Sequence, residues 1–221
     1  MLEEEARKRG IDIDALKREQ LKLSKLVSKK DYMDFSALQS VAGIAESVDE
    51  KNKSIIVGIV VLNENLEEIE SKFCHDKLNF PYIPGFRAYR ELRPLIACYE
   101  KLENRPDVFF IRALGIDHPR GCGLASHFGI ATDSCVISIA DEPIKGFEIK
   151  ENDVVLNGKV VGRLVQLVDF AKPIIVSVGH KISLDSAVSL TKKFGLGKYK
   201  YPYPIVAASK YVRKISKEIA S

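Results

Sequence analysis

The runs "DVFFIRAL", "CVISIAD" and "PIIVSVG" constrain the fold more than any other feature of the chain. Each is short, rich in β-branched or aromatic residues, and poor in polar alternation. A strand with one wet face alternates; a strand without that pattern must be covered on both faces. Segments this short do not make stable helices, so they predict buried central strands flanked by helices. A chain of 221 residues is long enough to bury such a core. We therefore expect an α/β fold, a mixed central sheet with helices on both faces, and one domain over residues 1–221.

The remaining elements fill in around these strands. "LQSVAGIAESV" and "KSIIVGIVVLN" are separated by "DEKN" and predict a hairpin. "EEIESKFCHDKL" alternates and predicts a third strand with a polar outer face. "IDIDALKREQLKLSKLVSKK" spaces Ile13, Leu16, Leu21 and Leu26 as an amphipathic helix packed on the domain. "AYRELRPLIACYEKL" places Leu92, Leu95, Ile96, Tyr99 and Leu102 on one helical face, with Pro94 in the first turn or at a kink. "GLASHFGIAT" predicts a short helix. Asn157-Gly158 between Val-rich runs predicts a tight hairpin. Ser183 reads as the N-cap of "LDSAVSLTKKFG", with Gly195 as its stop, and "PIVAASKYVRKISKEIA" as a final helix. The order is an antiparallel meander followed by parallel strands.

Composition narrows the setting. No apolar run approaches the roughly 20 residues that span a bilayer, and "MLEEEARKRG" lacks the apolar centre of a signal peptide. Cys74, Cys98, Cys122 and Cys135 are scattered without C-x-x-C spacing, which predicts reduced thiols and a cytoplasmic protein. The formal charge of +4 permits nucleic-acid binding without demanding it. "KKFGLGKYKYPYP" interleaves Lys with Tyr, as single-strand-binding surfaces do; a solvated turn fits it equally.

Three ordered segments, "FPYIPGFRAYRE" (80–91), "GIDHPRGCGLASHFG" (115–129) and "VGHKISLDSA", resemble the endonuclease V family. The resemblance runs from about residue 20 to about residue 205. It implies a ribonuclease H-like fold and Mg²⁺-dependent hydrolysis of a phosphodiester near a deaminated base, chiefly inosine, in DNA or RNA. Mg²⁺ requires oxygen ligands, and metal-site carboxylates at strand ends would supply them. Matched to the family's pattern, Glu91 and Asp185 are metal-site acids and His118 the site histidine, with His180 in the accompanying "GH". Pro81, Tyr82, Ile83 and Pro84 match the wedge that helps expose the damaged base. A packed loop around a buried Tyr82 is the plainer reading. His118 and His127 also fit structural hydrogen-bonding roles.

The chain departs from the pattern at the metal site. The first-strand Asp is Ala45, and Glu46 beside it is expected on the opposite face. The fourth-strand Asp is Arg112, and the following Gly is Ala113. On the next strand Ser138 replaces a Gly and Asp141 replaces a Lys. Ala113, Leu114 and Ser138 are expected to narrow the base pocket. The paired sign reversal at Arg112 and Asp141 suggests an internal salt-bridge network in place of the metal, with Arg112 reaching Glu91, Asp141 and Asp185. On this reading the protein holds no metal cofactor and binds single-stranded or deaminated DNA or RNA without cutting it. The alternative is an active enzyme that holds Mg²⁺ through Glu91, Asp185 and a substitute carboxylate, Asp141 or Asp117. Neither reading involves a membrane, and a protein partner is not legible.

Overall fold

The computed structural model describes residues 4, 7, 8, 10–144 and 146–220. Its strands are β1 (Ser40–Asp49), β2 (Ser54–Asn63), β3 (Glu68–Lys77), β4 (Val108–Ile111), β5 (Val136–Ala140), β6 (Glu148–Lys150), β7 (Asp153–Leu156), β8 (Lys159–Val165) and β9 (Ile174–His180). They form one mixed sheet in the order β3-β2-β1-β4-β5-β9-β8-β7-β6. The helices that cover it are α1 (Ile13–Leu23), α2 (Arg87–Tyr99), α3 (Leu124–Thr132), α4 (Leu184–Lys193) and α5 (Tyr203–Ala220).

The strand directions follow from connection length. β1, β4 and β5 run parallel, because helical crossovers separate them. β9 runs antiparallel to both β5 and β8, which corrects the expectation that it continues the parallel strands. The loop of residues 166–173 between β8 and β9 is too short for a crossover, so it can join only antiparallel neighbours. The Asn157-Gly158 turn closes the β7–β8 hairpin with φ of 51° and 74°, as a tight primed turn requires.

Both faces of the central strands are buried. One face packs Val41, Ala45, Phe110, Ile137 and Val176 with Ala208 and Val212 of α5. The other packs Ala42, Ile44, Phe109 and Ile111 with Leu95 of α2 and Phe128 of α3. Successive residues of β1 and β4 therefore divide between two cores, which is why their sequences do not alternate. α5 lies tightly on β1. A Cβ built on Gly43 would stand 1.9 Å from the Pro204 carbonyl oxygen, so the position has room for hydrogen alone.

Two helices differ in detail from the sequence expectation. α1 stops at Leu23 and a 3₁₀ turn spans Ser24–Leu26. Ile13 and Gln20 face inward, whereas Leu21 and Leu26 are 51% and 60% exposed. The tightened turn takes Leu26 out of the helical register, while Leu21 lies beside Gln20, the residue that shares the inward face with Ile13. Pro94 lies inside α2 rather than in its first turn, and its buried ring sits among the sheet-facing residues.

All four cysteines are free and buried. Burial pushes the thiols of Cys98 and Cys122 up to about 12, which leaves them unreactive at neutral pH. Among the described residues, no helix is long and apolar enough to cross a membrane.

Candidate nucleic-acid site

Parallel strands β4 and β5 end side by side, and each delivers one charged residue to the same edge of the sheet. Arg112 follows β4 and Asp141 follows β5. Arg112 Nε donates to Asp141 Oδ2 at 3.0 Å and Nη2 to the same oxygen at 2.5 Å. The other oxygen of Asp141 accepts from Lys200 Nζ at 2.6 Å and from the Tyr201 hydroxyl. The Arg112 guanidinium also lies 4.9 Å from the centre of the Tyr201 ring. Burial acts to raise the Asp141 carboxyl, but hydrogen bonds from Lys200, Tyr201 and Arg112 outweigh it and hold the pKa to about 2.

Glu91 and Asp185 do not join this pair, which corrects the expected network. Glu91 is 3% exposed, and Arg87 Nε donates to its Oε2 at 2.5 Å. Burial raises its carboxyl and the Arg87 charge opposes that rise. Arg87 also pairs with Glu46 and donates from Nη1 to the Arg112 carbonyl at 3.1 Å. Asp185 instead accepts from Arg163 Nη1 at 2.8 Å, and Arg163 Nε donates to Asp153. The cause is strand direction. Ala140 pairs with Ile175 and Val136 with His180. The chain leaving β9 toward Asp185 thus emerges at the sheet end opposite Asp141.

Glu46 is a residue that sequence reasoning set aside. Ala45 faces the α5 core, and Glu46 does point the other way, as parity requires. That other face is where α2 carries Glu91. The signal was available in "RAYRE", where Arg87 and Glu91 stand four residues apart on one helical face.

This donor set does not suit a divalent cation. The two carboxylates that approach one another, Glu46 and Glu91, meet on a single guanidinium rather than on open space. The end of β4 presents Arg112, whose positive charge repels a metal. Among the described residues, no group of three or more His, Cys, Asp or Glu side chains converges.

Beside the charged edge lies a cavity of about 430 Å³, walled by Tyr82, Pro84, Leu114, His118, Gly123 and Ile144 among others. Its loop is clamped at one atom. The Gly85 carbonyl oxygen accepts from Gln20 Nε2 at 3.1 Å, from His118 Nε2 at 3.0 Å and from Arg120 Nη2 at 2.7 Å. Arg120 Nε donates back to Gln20 Oε1 at 2.6 Å, and its guanidinium stands 4.6 Å from the centre of the Phe86 ring. Gln20 and Arg120 were not singled out from sequence. A buried glutamine in an amphipathic helix has no motif around it.

The clamp decides how the wedge segment presents itself. Ile83 is buried with Ile13 and Phe86, while Tyr82 is 54% exposed with the Arg90 guanidinium 5.7 Å from its ring centre. Tyr82 is therefore not a buried packing residue. Pro81 is half-buried and Pro84 exposed. His118 is buried, and burial first, then the nearby Arg120 charge, lowers its pKa to about 4. Its Nδ1 accepts from the Arg120 backbone N–H at 3.2 Å, leaving Nε2 to donate to Gly85.

Of the residues expected to narrow the pocket, Leu114 lines the cavity and Ala113 and Leu114 line the smaller cleft beside Arg112. Ser138 does not reach either wall. It is fully buried in the sheet and donates to the Ala113 carbonyl at 2.6 Å. Its hydroxyl oxygen also lies 3.3 Å from Asp117 Oδ1, and the Gly115 N–H donates to that carboxylate oxygen at 2.6 Å. Burial raises the Asp117 carboxyl to about 6 against these hydrogen bonds. Asp117 thus braces its loop from the buried side, through Gly115 and Ser138.

The mixed sheet, with charged side chains gathered at the ends of its adjacent parallel strands, defines a ribonuclease H-like α/β protein. The comparisons agree and go further. A family model described as Endonuclease V matches residues 21–210. An Endonuclease V from Dictyoglomus turgidum is 35% identical over 210 residues, covering 89% of this chain and 90% of the relative. The crystal structure of the Streptomyces avermitilis Endonuclease V superposes with a TM-score of 0.86 at 26% identity, over 95% of each chain. The Ciona intestinalis Endonuclease V, solved with a 24mer DNA containing an inosine followed by a ribo-adenosine, gives a TM-score of 0.84 at 26% identity, over 94% of this chain and 98% of that one. The chain belongs to the Endonuclease V family.

Proposed function

We propose that this chain binds inosine-containing or otherwise deaminated DNA or RNA, with the strand unpaired, and does not cleave it. The observation that carries the reading is the Arg112–Asp141 pair at the ends of β4 and β5. A guanidinium there, and Arg87 between Glu46 and Glu91, removes the electrostatics that would recruit Mg²⁺ and activate water. The protein on this reading works without a metal cofactor. Losing one electrostatic group from a catalytic site already costs about 10²–10³ in rate.

The binding half of the reading rests on the cavity and Tyr82. The cavity volume of about 430 Å³ accommodates a single base, with apolar walls and a few polar groups to orient it. Tyr82 stands exposed at its rim on a loop fixed from below, which suits insertion into a gap left by a displaced base. The Ciona relative solved on inosine-containing DNA supports the choice of ligand.

The test is to incubate the protein with an inosine-containing single-stranded oligonucleotide in Mg²⁺ or Mn²⁺, following binding and cleavage separately. Binding that favours inosine over its adenosine counterpart, with no cleavage in either metal, is expected. Tyr82→Ala should weaken that binding without altering thermal stability. Cleavage that disappears in Glu91→Ala would establish an enzyme that uses Glu91 with a substitute carboxylate, and would end the non-cleaving reading.

A further inference from the structure

Residues 192–203 carry chemistry that the site above does not use, apart from Lys200 and Tyr201 on Asp141. The stretch holds Lys192, Lys193, Lys198 and Lys200 and no acidic residue. Lys192, Lys193 and Lys198 are exposed. Lys198 and Lys210 stand 5.4 and 5.1 Å from the centre of the Tyr199 ring, and Lys210 Nζ donates to the Tyr199 hydroxyl oxygen at 3.2 Å. The Tyr203 ring lies 6.2 Å from that of Tyr199, tilted by 33°. The stretch is not a loose solvated turn. Lys200 and Tyr201 bind Asp141, and the Tyr203 N–H donates to the Phe194 carbonyl at 2.8 Å.

A second, separate feature lies at the same end of the sheet. Phe170 is completely exposed, and its φ of +62° is a left-handed conformation that bulky residues rarely adopt. Its loop, residues 166–173, runs beside Asp141 because Ala140 pairs with Ile175 in the antiparallel β5–β9 ladder. Lys172 of this loop reaches Glu142 at 3.8 Å. Leu167 fastens the loop to the lysine-rich stretch. A Cβ added at Gly195 would stand 2.9 Å from Leu167 Cδ2, so the two elements are in direct contact.

We propose that Phe170 and the Lys198–Tyr203 segment form a stacking track for the unpaired strand that leaves the base cavity. The inference rests on the reading of the cavity as a base site. Single-stranded nucleic acid is the occupant that uses both features. Ammonium groups meet its phosphates, and aromatic faces take its bases whatever their sequence. An apolar partner would use Phe170 but would meet the exposed Lys192, Lys193 and Lys198. An acidic peptide would use the lysines and leave Phe170 idle.

Fluorescence anisotropy with two inosine-containing single-stranded oligonucleotides tests this. The short one fills only the cavity; the long one adds oligothymidine on both sides. Phe170→Ala, and Lys198→Ala combined with Tyr199→Leu, should each weaken the long ligand about tenfold and leave the short one unchanged. Phe170→Trp should keep full affinity and Phe170→Leu should not, since stacking needs a π-face. The lysine variant should also flatten the salt dependence. Equal loss on both lengths, or no loss on the long one, overturns the track. Inosine preference that persists while all variants bind normally removes the track and leaves the base site. Long-strand binding that falls in the variants but never favours inosine removes the base site and leaves the track. No binding by the unaltered protein removes both. Self-association abolished by Phe170→Ala, with oligonucleotide binding unchanged, assigns the patch to a second copy of the chain and overturns the proposal.

Discussion

The two halves of the candidate site are held together by different physics. At the cavity, three donors from two segments, the Gln20 amide, the buried His118 imidazole and the half-buried Arg120 guanidinium, converge on the Gly85 carbonyl. At the strand ends, half-exposed ions converge on Asp141. Buried hydrogen bonds depend little on solvent conditions, while exposed ion pairs are screened by salt and contribute little to stability. The cavity is therefore the half less sensitive to salt, and the strand ends are the half where charges can be altered at small cost to the fold.

The sharpest break of that comparison lies where the two halves meet. Arg87 is the ion-pair partner of the buried Glu91. Arg87→Ala should destabilise the protein by about 3 kcal/mol, because it leaves a buried carboxyl without its cation. Urea denaturation measures the loss, and adding Glu91→Gln to that variant should recover much of it. Gln20→Ala should come next, at about 1–3 kcal/mol, because Gln20 joins α1 to Gly85 and Arg120 in the clamp. Loss of inosine preference should accompany it.

The pH dependence separates the halves again. Burial holds His118 and His127 down to about 4 from 6.5, so the folded state keeps them neutral. An unfolded chain takes up protons through that interval, so stability falls as pH drops from about 6.5 to about 4. Asp117 opposes this. Its folded pKa is raised to about 6, so the folded state takes up a proton there and gains relative stability as pH falls. Two histidines outweigh one aspartate, and Asp117→Asn should steepen the fall. Asp141, held to about 2 against an ordinary 3.8, contributes its stabilisation in full above the usual carboxylate range and loses it as pH falls from 3.8 toward 2. Thermal melts across pH 4–7 read these signs.

The smallest effect belongs to Arg112→Ala. Its side chain is 54% exposed and its partner keeps Lys200 and Tyr201, so the loss should stay below about 1 kcal/mol and shrink in high salt. A loss as large as that of Arg87→Ala would mean the strand ends are a structural keystone, and the comparison would fail.

The sequence made much of this legible. Short apolar runs revealed doubly covered strands, because a residue buried on either face leaves no polar alternation to read. Asn157-Gly158 and the Ser183 cap were legible because each acts on residues next to it in the chain: the turn through its own backbone, the cap through a hydroxyl that accepts from the Ser186 N–H. The opposite charges at Arg112 and Asp141 were legible as a pair because both follow strands that the fold sets side by side. The Asp185 position was not, because local residues do not encode that β9 runs antiparallel to β5, nor that Arg163 of β8 is the cation Asp185 meets. Glu46 was misjudged for a related reason. Strand parity gives the face, but only the packing of α2 says that Glu91 shares it.

By itself, then, the sequence determined the class of fold, the strand and turn positions, and the chemical identity of what stands at each strand end. Those depend on hydrophobic period, backbone preference and charge, which are properties of neighbouring residues. Only the tertiary structure decided which charges meet, that Ser138 is buried beneath the pocket rather than lining it, and that Gly85 collects donors from α1 and from the loop before α3. Such contacts join residues as far apart as Gln20 and Cys122 in the chain. They are set by strand direction and helix packing, which depend on the whole sheet at once.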